Sequence, residues 1–342
     1  MSFIVVMTVP VPYPGVPHDE QAYEKIGVKF VKVLCQTEDQ IIAAAQDADA
    51  VITLSQPFTR KVIENLNKCR LIHNLAIGYE GIDIKAATDN GICVSYPADY
   101  CLEEVSDHTI ALIMCCARKI VPLFNAVKAG KWDSATKPEI RSKIWPGMSQ
   151  LRDQTLGLIG FGNIPRTLAP KAKGLGLRVI AYDPYIPVNM AKELGVELVD
   201  LDQVLTQSDY VSVHAAATPE SKHMLGLDEL RKMKSTAYVI NTARGTLIDE
   251  QALHTVLSEG KLAGAALDVL EIESCSPEYP LLKLDNVIIT PHSAHYSDKS
   301  AAEIRKRPYE EISRMLRGEW PRCLINPEVK ERFASKWQNG RS

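Results

Sequence analysis

The sequence predicts an α/β chain of two parallel-sheet domains, and three observations carry that expectation. Its 342 residues exceed what a single hydrophobic core ordinarily organises. Short apolar runs alternate with helical patterns from end to end, the rhythm of strand–helix–strand units. A glycine turn, "LIGFG", opens the second half directly behind one such run.

The first series of strands is expected in "FIVVMTV", "VKFVKVL", "AVITL", "LIHNLA" and "ICVSY", with helices in "TEDQIIAAAQDA" and "TRKVIENLNKC" between them. The opening "MSFIVVMTVPVPYPG" has no basic leader and runs straight into prolines, so it reads as a first strand rather than a signal peptide. Residues 102–129 predict one long helix with "EEVSDH" near its start. The polar, proline-bearing "SATKPEIRSKIWPGMSQLRDQ" separates it from the next strand. A second series is read in "TLGLIGF", "RVIAYD", "YVSVHA", "AYVINTA", "GAALDV" and "NVIITPH". A helix over roughly 298–318 comes next and is expected to pack back on the first domain. A polar tail with no strand of its own ends the chain.

Composition narrows the function. With 46% apolar and 24% charged residues and a formal charge of −3, the chain carries no electrostatic footprint for nucleic acid or a membrane surface. No apolar run approaches the length that spans a bilayer. Eight cysteines include no C-x-x-C pair. Cys115 and Cys116 are adjacent on a helical pattern and so point about 100° apart, a poor shared metal site. They read as packing thiols, no metal is expected, and the reading is a reduced, cytoplasmic protein.

In open parallel sheets, ligands bind outside the carboxyl ends of the strands. Five strands of the second series end in reactive side chains: Asp183, His214, Asn241 to Arg244, Asp268, and Pro291-His292. One polar strand end is ordinarily a turn, whereas five together favour a site.

Gly160 and Gly162 fill the first two positions of a G-x-G-x-x-G turn between a strand and a helix, and Pro165 stands in the third. The first two glycines serve the tight turn and the close approach of backbone to a pyrophosphate, and the third serves helix packing. Pro165 falls in the first helical turn, where its missing N–H costs little, so the phosphate-facing part of the motif is retained. Asp183, at the end of the next strand, is placed to accept from ribose hydroxyls and to repel a 2′-phosphate. A bare turn aspartate before Pro184 is the plainer alternative, but the glycine turn upstream favours ribose, and with it NAD over NADP.

Together "LIGFGNI", "YDP", "INTARGTLIDEQAL", "GAALDVLEIE" and "NVIITPH" resemble the D-2-hydroxyacid dehydrogenase family. In the first half "AIGYEGIDIKAATDNGICV" and "EEVSDHTIAL" match as well, so the likeness covers nearly the whole chain. "YDPY" and "AHYSDKS" are most similar to the branch containing the C-terminal-binding proteins.

The resemblance implies two Rossmann-like domains with the active site in a cleft between them. A discontinuous substrate domain would comprise 1–102 plus 298–342, and an NAD-binding domain 103–297. It also implies an NAD-dependent oxidoreductase that interconverts a small 2-oxo acid and its D-2-hydroxy acid, in a homodimer. The family's catalytic arginine, glutamate and histidine fall on Arg244, Glu273 and His292. Ser274 follows Glu273 where the family usually has proline, which leaves Glu271 as a rival. Cofactor contacts fall on Gly160, Gly162, Asn163, Ile164, Asp183, His214, Ala215, Thr218, Thr242, Ala243, Asp268 and His292. The substrate-carboxylate loop falls on Ala76-Ile77-Gly78, with Asn74 in place of a common arginine. His295 stands where the nearest branch carries tryptophan and is expected to shape the substrate pocket.

The chemistry needs these residue types. A guanidinium fork holds a carboxylate and its neighbouring carbonyl bidentately, as a lysine does not. His292 would donate a proton to the carbonyl oxygen as hydride reaches its carbon, and Glu273 would hold the imidazole and favour its protonated form. Asp268 would accept from the nicotinamide carboxamide. His108, in a helix start, is expected to be a structural contact and His214 to line the cofactor. Two other functions remain in view: an NAD-sensing interaction protein of the C-terminal-binding type, and a related dehydrogenase of another small oxyanion such as phosphite. Ile77 stands where the phosphite enzymes use lysine, which argues against the last.

Overall fold

The computed structural model describes residues 2–9, 20–54 and 56–338. The chain divides into two compact units, Met1–Tyr100 with Ser297–Ser342, and Cys101–Tyr296.

The first unit contains β1 (Phe3–Val9), α1 (Glu20–Lys25), β2 (Val28–Leu34), α2 (Glu38–Ala45), β3 (Ala50–Thr53), α3 (Arg60–Glu64), β4 (Leu71–Asn74), α4 (Ile84–Asp89) and β5 (Cys93–Ser95). All five expected strands form one parallel sheet in the order β2-β1-β3-β4-β5. Val6, Val51, Ile72 and Val94 meet Ile41, Val62, Ile63 and Ala87 of the helices in its core. Each fully buried side chain of this size contributes on the order of 1.5–3 kcal/mol. The prolines after β1 lie outside the described residues.

The second unit opens with α5 (Leu102–Arg118), α6 (Ile120–Lys128) and α7 (Lys137–Lys143). The single helix expected over 102–129 is therefore two, bent by 65° at Lys119. Lys119 adopts a left-handed conformation (φ 49°, ψ 41°). The cause is Pro122, whose ring would clash with the Arg118 carbonyl in a continuous helix but is tolerated in the first turn of a new one. Another short helix, α7, forms in the polar segment, with proline at its start.

The remainder builds β6 (Thr155–Ile159), α8 (Asn163–Gly174), β7 (Arg178–Tyr182), α9 (Val188–Glu193), β8 (Glu197–Leu198), α10 (Leu201–Gln207), β9 (Tyr210–Val213), α11 (Leu227–Lys232), β10 (Tyr238–Asn241), α12 (Glu250–Ser258), β11 (Gly264–Leu267) and β12 (Val287–Ile289). The sheet has seven parallel strands, ordered β12-β11-β10-β9-β6-β7-β8. Six were expected. The seventh, β8, is only two residues long and half exposed at the sheet edge, too short to make an apolar run. Side chains alternate across the sheet: Leu156, Leu158 and Ile240 pack with Leu112, Ile113 and Leu168 of α5 and α8 on one face. Ile159, Val213 and Val239 pack with Val204, Leu230 and Leu253 of α10, α11 and α12 on the other.

The chain then returns to the first unit with α13 (Asp298–Leu316), which starts where Ser297 Oγ accepts the Ser300 amide at 3.0 Å and packs against β4. In the tail, Leu324 makes one antiparallel bridge to Ser95. The helix α14 (Val329–Phe333) and a π-helical turn, Ala334–Gln338, complete it. Pro170 in α8 and Pro308 in α13 interrupt both helices, and no functional role for either emerges from its surroundings. Among the described residues, no single helix is long and apolar enough to cross a membrane.

Candidate active site

Sheet order turns scattered sequence positions into one rim. Along the carboxyl ends of the second unit's strands lie, in spatial succession, His292 after β12, Asp268 after β11, Arg244 after β10, His214 after β9, Gly160 after β6 and Asp183 after β7. At ~4.8 Å per strand these ends span about 24 Å. The chain reverses direction of travel across the sheet between β6 and β9, the switch point where open α/β sheets bind ligands.

Gly160 occupies that switch point with φ +90°, and a Cβ there would lie 2.8 Å from the His214 carbonyl and the Ala215 nitrogen. Only glycine fits. Gly162 instead faces open space and is the N-cap of α8. By helix geometry the first donors of α8 point outward unpaired, and Pro165 removes one of the four. Those of Gly162, Asn163 and Ile164 remain, beside the positive end of the helix dipole. Pro165 itself is buried, consistent with a packing role at the third position. The Arg166 guanidinium lies over the same turn, donating from Nε to the Gly162 carbonyl at 3.0 Å and pairing with the Asn163 side chain. Nothing in the glycine pattern pointed to it.

Asp183 Oδ2 accepts the Phe161 amide at 2.8 Å, which ties the end of β7 to the glycine turn, and Oδ1 accepts the Tyr185 amide at 2.9 Å. Each oxygen keeps further lone-pair capacity for ribose hydroxyls. His214 Nε2 meets Ser212 Oγ at 2.9 Å, and burial pushes its pKa down to about 4, so the ring is neutral at physiological pH. In the following loop the Thr218 amide donates to Ser221 Oγ at 2.8 Å. A cradle only glycine permits, free helix-end donors and a carboxylate at the next strand end fit a dinucleotide.

The other half of the rim is organised around Arg244 and His292. Asn241 shapes the Arg244 turn: its amide donates to the Arg244 carbonyl at 2.9 Å, and its oxygen accepts the Ala243 amide at 3.0 Å. Arg244 Nη1 donates to the Ala243 carbonyl at 2.7 Å. Gly245 follows because any Cβ there would collide with the Leu270 carbonyl. Thr242 Oγ1 lies 3.1 Å from Thr109 Oγ1 of α5.

His292 Nδ1 is 2.7 Å from Glu273 Oε1 and 2.9 Å from Oε2. Glu271 lies elsewhere. Its Oε2 is 3.0 Å from His223 Nε2, and its Oε1 accepts the Glu250 amide. Glu250 in turn accepts the Glu271 amide at 2.6 Å on Oε1 and the Tyr279 hydroxyl on Oε2. One carboxylate on α12 therefore closes both ends of the loop that carries Glu273. The local sequence could not reveal this, because the partners are 21 and 29 residues apart.

Asp268 is buried to 1% exposure. Its Oδ1 accepts from Thr290 Oγ1 at 2.5 Å and from the Ser293 amide at 3.0 Å, and its Oδ2 from the Ala294 amide at 2.9 Å. The His292 amide donates to the Asp268 carbonyl at 2.8 Å. This carboxylate is the hub of the turn that holds His292 at φ +49°, a left-handed conformation uncommon outside glycine. The His292 and His295 rings meet edge to face at 5.8 Å. Burial, with His292 alongside, holds the His295 imidazole below its usual range.

In the first unit, Asn74 donates to the carbonyls of Ala76 at 2.8 Å and Gly78 at 2.7 Å. Both peptides are trans, so the amides of Ile77 and Tyr79 point the opposite way from Asn74. Tyr79 is a donor that the motif did not indicate. A cavity of about 230 Å³ adjoins this loop, lined by Gln56, Asn74, Tyr79, Glu80 and Ile82 among others.

A switch-point glycine cradle with a reactive rim beside it defines a dinucleotide-dependent oxidoreductase. Residues 110–294 match the family described as D-isomer specific 2-hydroxyacid dehydrogenase, NAD binding domain. The chain belongs to that family and is an NAD-dependent enzyme of it. It is 39% identical over 290 residues to a glyoxylate reductase of Korarchaeum cryptofilum, across 84% of this chain and 86% of that protein. It is 37% identical over 303 residues to a D-3-phosphoglycerate dehydrogenase of Methanocaldococcus jannaschii, across 88% of this chain but only 56% of that one. Among solved structures it is similar to D-lactate dehydrogenase from Aquifex aeolicus complexed with NAD and lactic acid. That match has a TM-score of 0.78 and 28% identity, and covers 94% of this chain and 99% of the other.

Proposed function

We propose that this enzyme reduces a small 2-oxo acid with NADH to the D-2-hydroxy acid, with His292 as the proton donor. The observation that carries the reading is the Glu273–His292 pair at 2.7 Å, two strand ends from Arg244 on the same rim. The bound nicotinamide supplies the hydride. Arg244 binds the substrate carboxylate and polarises the neighbouring carbonyl through its fork. The amides of the Ala76-Ile77-Gly78 loop bind the carboxylate, and His295 shapes the pocket around the substituent. His292 holds a proton on Nε2, because Nδ1 is committed to Glu273, and delivers it to the forming alkoxide. Glu273 keeps the ring oriented and favours its charged form.

For the cofactor, the donors of Gly162, Asn163 and Ile164 take the pyrophosphate, and Asp183 takes the adenosine ribose and disfavours a 2′-phosphate. His214, Ala215, Thr218, Thr242 and Ala243 line the dinucleotide. The remaining lone pair of Asp268 Oδ2 serves the nicotinamide carboxamide. Glyoxylate, named in the Korarchaeum relative, is the first substrate to test. The sequence likeness of "YDPY" and "AHYSDKS" to the C-terminal-binding branch is compatible with this activity, since Arg244, Glu273 and His292 are all present.

The working form is proposed to be a homodimer in the cytoplasm. Ile120, Phe124 and Val127 of α6 and Trp132 beyond it are exposed, Phe124 to 59% and Trp132 to 74%. Such a run of large apolar side chains is characteristic of a buried interface. The eight free thiols suit a reducing compartment. The test is a panel of 2-oxo acids with NADH, scored for rate and product chirality, together with His292→Ala. Turnover of at least one acid to the D product, lost in the variant, is the expected result. Full activity in His292→Ala would refute the assignment.

A further inference from the structure

The catalytic turn leans on a residue of α5 that neither the glycine motif nor the strand-end rule indicates. His108 Nε2 lies 3.0 Å from Thr290 Oγ1 and 3.6 Å from Asp268 Oδ1. The direction of these bonds is set by proton inventory. Thr290 has one hydroxyl proton and gives it to Asp268 Oδ1 at 2.5 Å, because a carboxylate can only accept. Thr290 Oγ1 is then an acceptor towards His108, so His108 carries its proton on Nε2.

The chain of bonds runs from α5 through Thr290 to Asp268, and from Asp268 through the Ser293 and Ala294 amides to the residues just after His292. The next residue of α5, Thr109, holds Thr242 in the turn before Arg244. Two consecutive side chains of α5 therefore pin the two turns that carry Arg244 and His292. Only 23% of the His108 side chain is exposed, and that of Asp268 1%, so water competes poorly for these bonds.

We propose that His108 is a positioning residue: its Nε2–H holds the Thr290–Asp268 pair in the geometry that keeps His292 in its left-handed turn. The inference rests on the reading of His292 as proton donor. It adds a contribution to turnover from α5, made through Thr290 and Asp268 rather than by contact with the reacting atoms.

The test compares His108→Leu, which removes the donor, with His108→Gln, whose amide can reach the same hydroxyl, and with Thr290→Val. Reduction of glyoxylate is followed with NADH, or of the best acid from the panel, and NADH binding is measured by fluorescence. His108→Leu is expected to lower kcat about tenfold, with NADH affinity and the substrate KM changed less than about threefold. His108→Gln should recover most of the loss. Thr290→Val should resemble His108→Leu, and the double variant should be no worse than the poorer single one, because both break one chain. Multiplicative losses in the double variant would overturn the proposal. So would wild-type kcat in His108→Leu, or equal damage in Leu and Gln. His292→Ala separates the two readings: if it retains turnover, the proton-donor assignment fails, whereas loss there with no effect at His108 sinks the positioning role alone.

Discussion

Asp268→Asn is a severe change made by exchanging one atom. The buried carboxylate accepts the Ala294 amide on one oxygen and the Ser293 amide and Thr290 hydroxyl on the other. An asparagine keeps one acceptor oxygen and presents an NH2 group where the second was, so a donor faces a donor. With the carbonyl kept towards Thr290, the Ala294 amide is left buried and unsatisfied. Losing a hydrogen bond to a charged acceptor costs about 1.5–3 kcal/mol, and the orphaned amide adds to it. The turn is already strained, since His292 at φ +49° costs roughly 1–2 kcal/mol relative to right-handed backbone. The loss is as large as the strain it restrains, so the turn relaxes and His292 moves. A displacement near 1 Å from a productive geometry costs on the order of 10²-fold in rate. Asp268→Asn is therefore expected to lower kcat for 2-oxo acid reduction about a hundredfold. NADH affinity should stay within about tenfold, because the glycine turn three strands away is untouched. Steady-state kinetics with a fluorescence titration of NADH measures both. A kcat within threefold of wild type, in a protein that still binds NADH, would refute the view that this carboxylate organises the turn.

Two further outcomes concern the cofactor half of the rim. NADH should bind at least about tenfold more tightly than NADPH, and Asp183→Ser should narrow that gap, since the carboxylate both accepts from the ribose and repels a 2′-phosphate; equal titrations for the two in the wild type would contradict the assignment. His214, with its pKa held near 4 against an ordinary 6.5, makes the apo protein acid-sensitive. The unfolded state takes up the proton first, so this stability is complete above pH 6.5 and is lost as pH falls towards 4. By pH 5 the loss is roughly 2 kcal/mol. His214→Gln should flatten the fall in urea midpoint between pH 7 and 5, and an unchanged slope would count against a buried neutral ring.

The parallel strands were legible because burial on both faces makes each a nearly continuous apolar run, as in "TLGLI" and "YVIN". Position was legible for a related reason: residues that directly succeed such runs must emerge at the carboxyl rim, which locates Asp183, His214, Arg244, Asp268 and His292 without any knowledge of their contacts. The break at Lys119 left a signal in Pro122, but the apolar pattern continues through it and hid the bend. What could not be read was pairing across long separations. Glu271 and Glu273 are two residues apart and chemically alike, yet one bonds His223 and the other His292. The choice depends on Glu250 and Tyr279 closing the loop between them. His108 is likewise mute in sequence, since its partner Thr290 is 182 residues away.

The most direct test of the account compares the pH–rate profiles of 2-oxo acid reduction for the wild type, Glu273→Gln and Glu271→Gln. Removing the carboxylate beside Nδ1 destabilises the imidazolium, so His292 gives up its proton at lower pH. Reduction by Glu273→Gln should then fade earlier as pH rises, while Glu271→Gln keeps the wild-type profile. A shift in Glu271→Gln with none in Glu273→Gln, or no shift in either, would contradict the assignment of Glu273 and His292 as the acid pair.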